Sequence, residues 1–220
     1  MIANCLVVAD TTHPFYHSLC SHYDVRGIEE AMASYETYDY VFDLSSLRTQ
    51  KKYYFLKELA RTTKAQVISD LTMCWGEWIY NNCSFVTGGL STLFFSPTDS
   101  LEFSLKDSKD QKTHELINQF YQSIGKKGIL HTDHQLSFHY PRTISMIINE
   151  AYFALEEKLA SPNDIDLAMK NGVNYPLGPI EWGQKIGLAN VIELLRELRE
   201  VTGEDRYKIS HQLKLEAIKL

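Results

Sequence analysis

The chain has 220 residues, a formal net charge of −6, 44% apolar residues and 23% charged residues. That balance excludes a largely disordered chain, and the lack of a basic stripe tells against a general nucleic-acid binder. No apolar run is long enough to cross a bilayer, and the first residues show neither a basic start nor a long apolar segment. The expectation is therefore a cytoplasmic chain with no signal peptide and no membrane partner. Cys5, Cys20, Cys74 and Cys83 form no C-x-x-C pair and read as reduced, packed thiols.

Short strands and helices alternate over the first two-thirds. Residues 5–9 (CLVVA) form a continuous apolar run, the pattern of a strand buried on both faces. A short helix is expected over 13–23 and a second strand at 40–44 (YVFDL). Residues 49–63 place Tyr53, Leu56, Leu59 and Ala60 at helical spacing with lysines between them. Further strands are expected at 66–69, 85–87 and 93–95, with a Trp-rich helix over 74–81. Residues 101–105 (LEFSL) alternate as an edge or antiparallel strand does. An amphipathic helix over 112–124 ends at Gly125, and a strand at 128–131 closes the series. Repeated β-α-β units imply an α/β domain with a parallel, doubly wound sheet.

After Pro141 the pattern is all-α. Helices are expected over 142–159, 164–170, 180–186 and 189–201, with a packing tail at 213–220. Ser161-Pro162-Asn163-Asp164 has the form of a helix start, a serine cap followed by proline and an acid. The domain boundary falls near 138–142, giving domains over 1–140 and 141–220.

Specific strings run through this second part: R-x6-NEA (Arg142, Asn149, Glu150, Ala151), then SPNDIDLAMKNGVNYPLGPIEW, KIGLANVIELL and TGEDRYK. They resemble the C-terminal helical domain of the short-chain (S)-3-hydroxyacyl-CoA dehydrogenases, the 3-hydroxybutyryl-CoA dehydrogenase type. Upstream, Leu93-Phe94-Phe95-Ser96-Pro97 stands where that family has H-F-F-N-P, and Ser69-Asp70-Leu71-Thr72 where it has S-N-T-S. The resemblance implies a Rossmann-like domain that binds NAD, then a helical domain that forms a homodimer and one wall of an acyl-CoA groove. One departure in the helical part is Gln184, where the family has Asp.

The family oxidises a 3-hydroxyl with a His base oriented by a Glu, while a Ser and an Asn hold the substrate oxygen. His suits that role because it titrates near neutrality. By the resemblance the His position is Leu93, the Glu position Leu105 and the Asn position Pro141; only the Ser position keeps a hydroxyl, as Thr72. Glu102 is an alternative to Leu105, but without the His it has nothing to orient. His131, His134 and His139 lie near the domain junction, either as a relocated base at His139 or as polar residues on a connector. His13, His17 and His22 cluster with Cys20, and surface histidines are expected there rather than a metal site.

The cofactor side is altered as well. A dinucleotide turn needs glycines so that backbone N–H groups reach the pyrophosphate. After the first strand the chain reads Asp10-Thr11-Thr12-His13-Pro14-Phe15, and no glycine occurs before Gly27. The ribose-binding acid is replaced around Val25-Arg26-Gly27, and residues 28–38 leave room for about one helix of three turns where the family has a long hairpin. The expectation is a divergent homologue that has lost the standard NAD-dependent catalysis and acts as an acyl-CoA binder or homodimeric partner. The alternative is a working oxidoreductase that converts 3-hydroxyacyl-CoA to 3-oxoacyl-CoA with rearranged residues.

Overall fold

The computed structural model describes residues 4–33, 38–94, 99–131 and 135–219. It divides between Phe138 and His139 into two compact units.

The first unit is one seven-stranded sheet: β1 (Cys5–Val8), β2 (Asp24–Arg26), β3 (Tyr40–Asp43), β4 (Gln66–Asp70), β5 (Val86–Leu90), β6 (Ser100–Leu105) and β7 (Lys127–His131). The spatial order is β2-β1-β3-β4-β5-β6-β7. Strands β1 to β5 run parallel, β6 pairs antiparallel with β5, and β7 runs parallel to β6. Its helices are α1 (Tyr16–Cys20), α2 (Ile28–Ala33), α3 (Thr49–Thr62), α4 (Gly76–Asn82) and α5 (Gln111–Ser123). The apolar runs alternate between two cores, as a strand buried on both sides must. Val7, Phe42, Ile68, Phe103 and Phe120 fill one face, with the Phe42 and Phe120 rings stacked at 4.4 Å. Leu6, Val8, Val41, Leu56 and Ile79 fill the other.

Two expectations change. In place of strands at 85–87 and 93–95 there is one strand, β5, with Leu93 and Phe94 beyond its end; Phe95 lies outside the described residues. Gly88 and Gly89 interrupt the apolar pattern of β5 but not its ladder. A Cβ on Gly88 would lie 2.9 Å from Ile117 of α5, and one on Gly89 2.8 Å from Leu71 and from the Tyr80 hydroxyl of α4. The helix expected over 13–23 contracts to α1, because His13 and Pro14 belong to a folded loop.

The second unit is helical: α6 (His139–Glu156), α7 (Pro162–Gly172), α8 (Pro179–Ile186), α9 (Leu188–Thr202), a 3-10 turn at Asp205–Tyr207, and α10 (His211–Lys219). Its core comprises Ile148, Tyr152, Trp182, Leu195, Tyr207 and Leu213. Helix α6 begins three residues before the expected Arg142, with Pro141 in its first turn, where the missing N–H has no intrahelical partner to lose. It ends at Glu156 rather than 159, and Lys158 takes a left-handed φ of 57° just beyond. Ser161 caps α7, its Oγ accepting the Asp164 N–H at 3.2 Å. Asp166 in turn caps α8, its two oxygens accepting the N–H groups of Ile180 (2.8 Å) and Glu181 (3.0 Å). Among the described residues no helix is long and apolar enough to cross a membrane.

Candidate functional site

In a parallel sheet the chemistry gathers beyond the carboxyl ends of the strands, where the loops bring polar groups together. Here the ends of β4 and β5 meet in a closed polar network. Asp70, the last residue of β4, is buried. Its Oδ1 accepts the Thr72 N–H at 2.8 Å, and its Oδ2 accepts the Thr92 N–H at 2.7 Å and the Thr92 hydroxyl at 2.5 Å. Thr72 is fully buried and donates its hydroxyl to Ser91 Oγ at 3.4 Å. Ser91 donates its N–H to the Tyr121 hydroxyl, which itself donates to the Glu102 carbonyl at 2.7 Å. Burial pushes the Tyr121 phenol well above its usual range, so it remains a neutral donor.

Leu93, which the resemblance sets at the family's His position, is buried and offers no proton acceptor. Leu105 lies in the core with Leu101 and Phe103. Glu102, three residues earlier, points to the opposite face of β6. Contrary to expectation, Glu102 does have a ring to orient: its Oε1 stands 2.8 Å from Nε2 of His131. The β6–β7 register explains the meeting. Ser104 pairs with His131 and Glu102 with Ile129, so the imidazole and the carboxylate share a face one diagonal step apart. Spacing in the sequence cannot show this pair, because 29 positions separate its members, and only the parallel register joins them. His139 is exposed at the start of α6 in the second unit, with Pro141 buried two residues on. His134 lies outside the described residues.

The β1–α1 loop departs most from a dinucleotide site. His13 is 7% exposed, which corrects the expectation of a surface histidine; His17 and His22 are exposed. Thr92 gives its hydroxyl proton to Asp70, so its oxygen accepts from His13 Nε2 at 3.2 Å. His13 Nδ1 accepts the Phe15 N–H at 3.3 Å. The two partners fix a neutral ring with its proton on Nε2. The loop has no glycine, and α1, at five residues, supplies less than two turns behind it. Asp24, the first residue of β2, is engaged by Arg26 (2.6 Å) and the Tyr38 hydroxyl (2.7 Å), and the Arg26 bonds hold its carboxyl below the usual range. These residues do not fit a dinucleotide: His13 is folded into the loop where a glycine turn is needed, and β2 ends in Arg26 rather than an acid.

A second buried network stands at the end of β3. Lys52 of α3 is fully buried, its Nζ 2.6 Å from Asp43 Oδ2, 2.7 Å from the Ser45 carbonyl and 2.9 Å from Ser45 Oγ. Ser69 adds a 2.6 Å bond to Asp43 Oδ2. All three ammonium donors have acceptors, so the pair is structural rather than reactive. Among the described residues no three His, Cys, Asp or Glu side chains gather as metal ligands do.

Residues 138–217 match the sequence profile of the 3-hydroxyacyl-CoA dehydrogenase C-terminal domain. Over 77 residues the chain is 47% identical to a 3-hydroxyadipyl-CoA dehydrogenase of Escherichia coli, covering 35% of this chain and 16% of that protein. Over 99 residues it is 31% identical to the 3-hydroxybutyryl-CoA dehydrogenase of Bradyrhizobium diazoefficiens, covering 45% and 33%. The chain thus matches a third or less of the length of these two relatives. Among solved structures, Mycobacterium tuberculosis FadB2 superposes with a TM-score of 0.68 at 17% identity, over 89% of this chain and 70% of that one. The (S)-3-hydroxybutyryl-CoA dehydrogenase of Ralstonia eutropha gives 0.62 at 21% identity over the same shares. These two likenesses establish the Rossmann-like fold with its helical second part. Residues 138–217 therefore resemble the C-terminal domain of the 3-hydroxyacyl-CoA dehydrogenases, and the chain shares the fold of those enzymes.

Proposed function

We propose that this chain is a divergent relative of the 3-hydroxyacyl-CoA dehydrogenases that does not perform their NAD-dependent oxidation and serves as an acyl-CoA-binding, dimeric protein. The observation that carries this reading is the β1–α1 loop, where His13 is folded in against Thr92 instead of leaving a glycine turn open to a pyrophosphate. Leu93 supports it, since a buried leucine cannot take a hydroxyl proton. Dimerisation through the helical unit is supported by α7, which buries no side chain of its own and leaves Leu167 58% exposed. Beside it runs an apolar groove of about 530 Å³ lined by Met146, Ile147, Ala154, Ile165 and Met169.

The test is direct. With acetoacetyl-CoA and NADH, nicotinamide absorbance stays constant. Melting temperature rises with acyl-CoA and not with NAD or NADP. Sedimentation gives a dimer, which Leu167→Asp converts to monomer. Turnover of NADH overturns the loss of catalysis, and a shift with NAD alone overturns the closed turn.

One observation favours a second reading, an oxidoreductase with rearranged residues: the Glu102–His131 pair reproduces a carboxylate-oriented imidazole. On that reading turnover is present and falls at least about a hundredfold in both His131→Gln and Glu102→Gln.

A further inference from the structure

The geometry points to His13 as a proton-operated latch that holds the β1–α1 loop against the ends of β4 and β5 and releases it in acid. Three elements converge on the ring. Nε2 donates to Thr92 Oγ1 just past β5, and Thr92 is tied by its N–H and its hydroxyl to Asp70 at the end of β4. Nδ1 accepts the Phe15 N–H from the ring's own loop. The loop is thus fastened at two points by one side chain, and each point uses a different ring nitrogen.

The two points respond differently to a proton. Nε2 already carries its hydrogen, so the Thr92 bond survives protonation. Nδ1 is the acceptor. Once it gains a hydrogen it faces the Phe15 N–H donor to donor, and that fastening is lost. Phe15 immediately precedes α1, so the loss falls where the loop enters the helix.

The charged groups that face the ring are Asp70 at the end of β4 and Asp10 on the loop. Both favour the cation. Burial opposes them and prevails, so His13 titrates below its ordinary value. The sign follows. Between the depressed native value and about 6.5, the unfolded chain holds a proton that the closed loop excludes. The latch is therefore closed and stabilising above about 6.5, and its contribution is lost as the pH falls through the native value.

The experiment is an NMR titration of the full chain from pH 7.5 to 4.5, which follows the His13 ring and the Phe15 amide together. The expected result is a ring midpoint below 6.5. The Phe15 amide should shift with the same midpoint, and its hydrogen-exchange protection, corrected for intrinsic rates, should fall at least tenfold on the acid side. His13→Gln keeps a donor and an acceptor but takes up no proton; its Phe15 amide should stay protected across the range. Three results overturn the latch: a ring midpoint at or above 6.5, a Phe15 amide that ignores the ring's titration, or a Gln variant that opens in acid as the parent does. The measurements on the parent chain decide the matter even where the variant folds poorly.

Discussion

At the residue scale, the decisive side chains are those whose surroundings the sequence does not announce. Lys52 sits at ordinary helical spacing among Lys51, Tyr53 and Lys57, and nothing in that order marks it as the one that turns inward. It is buried because α3 packs this face on β3, where Asp43 and Ser45 await a cation. Removing the lysine leaves Asp43 charged, dry and short of its main partner. Lys52→Ala should therefore lower the unfolding free energy by about 3–5 kcal/mol in urea denaturation. A loss below 1 kcal/mol would mean that water reaches the pair. That Leu93 and Pro141 carry no proton-accepting side chain is legible in the sequence itself. Glu102 with His131, and His13 with Thr92, were not legible, since each pair is made by strand register or loop closure over long separations.

At the element scale, the boundaries that followed apolar periodicity and caps came through well, and those that crossed glycine did not. Strands 40–44 and 66–69 reappear as β3 and β4, and the alternating 101–105 segment is indeed antiparallel. Strand β5 is legible only at its start, over 85–87, because Gly88 and Gly89 contribute nothing to an apolar count. In the helical unit the SPNDIDLAM string marks the start of α7, but the second role of Asp166, as cap of α8, needs the fold. Beside that cap, Glu181 of α8 bonds Lys170 of α7 at 2.6 Å and Lys185 at 2.8 Å. The Lys170 bond, then the Lys185 bond, hold the Glu181 carboxyl down to about 2. Between that value and the ordinary 4.5 the unfolded chain binds a proton that the native helices refuse. The stabilisation is therefore complete above 4.5 and fades as the pH falls towards 2. Acid melts should show the parent chain melting above Glu181→Gln at pH 5, with the two curves converging by about pH 2. An unchanged gap at both ends would remove this pair from the account.

At the scale of the whole molecule, the sequence already divides near residue 140, because strands stop and helical strings begin. The structure divides at 138/139 and gives each side its own buried interior. A fragment of residues 139–220 should therefore be helical and melt cooperatively on its own, as followed by circular dichroism. A broad, non-cooperative loss of signal would show that its core, Trp182 and Tyr207 included, needs the first unit. The family match, over residues 138–217, resides in that fragment but for its first residue.

The paired glycines of β5 carry a consequence for how this sequence can vary. One faces α5 and the other α4, with under 3 Å left for even a methyl group on each side. The obstructing atoms are all side-chain ends, Ile117 on one side and Leu71, Ser104 and Tyr80 on the other, so any added carbon must push them aside. In a saturation library scored for folded protein, these two adjacent columns should therefore tolerate alanine poorly and larger residues less still. The first unit would then carry a narrow tolerance at a stretch that no hydrophobicity profile picks out.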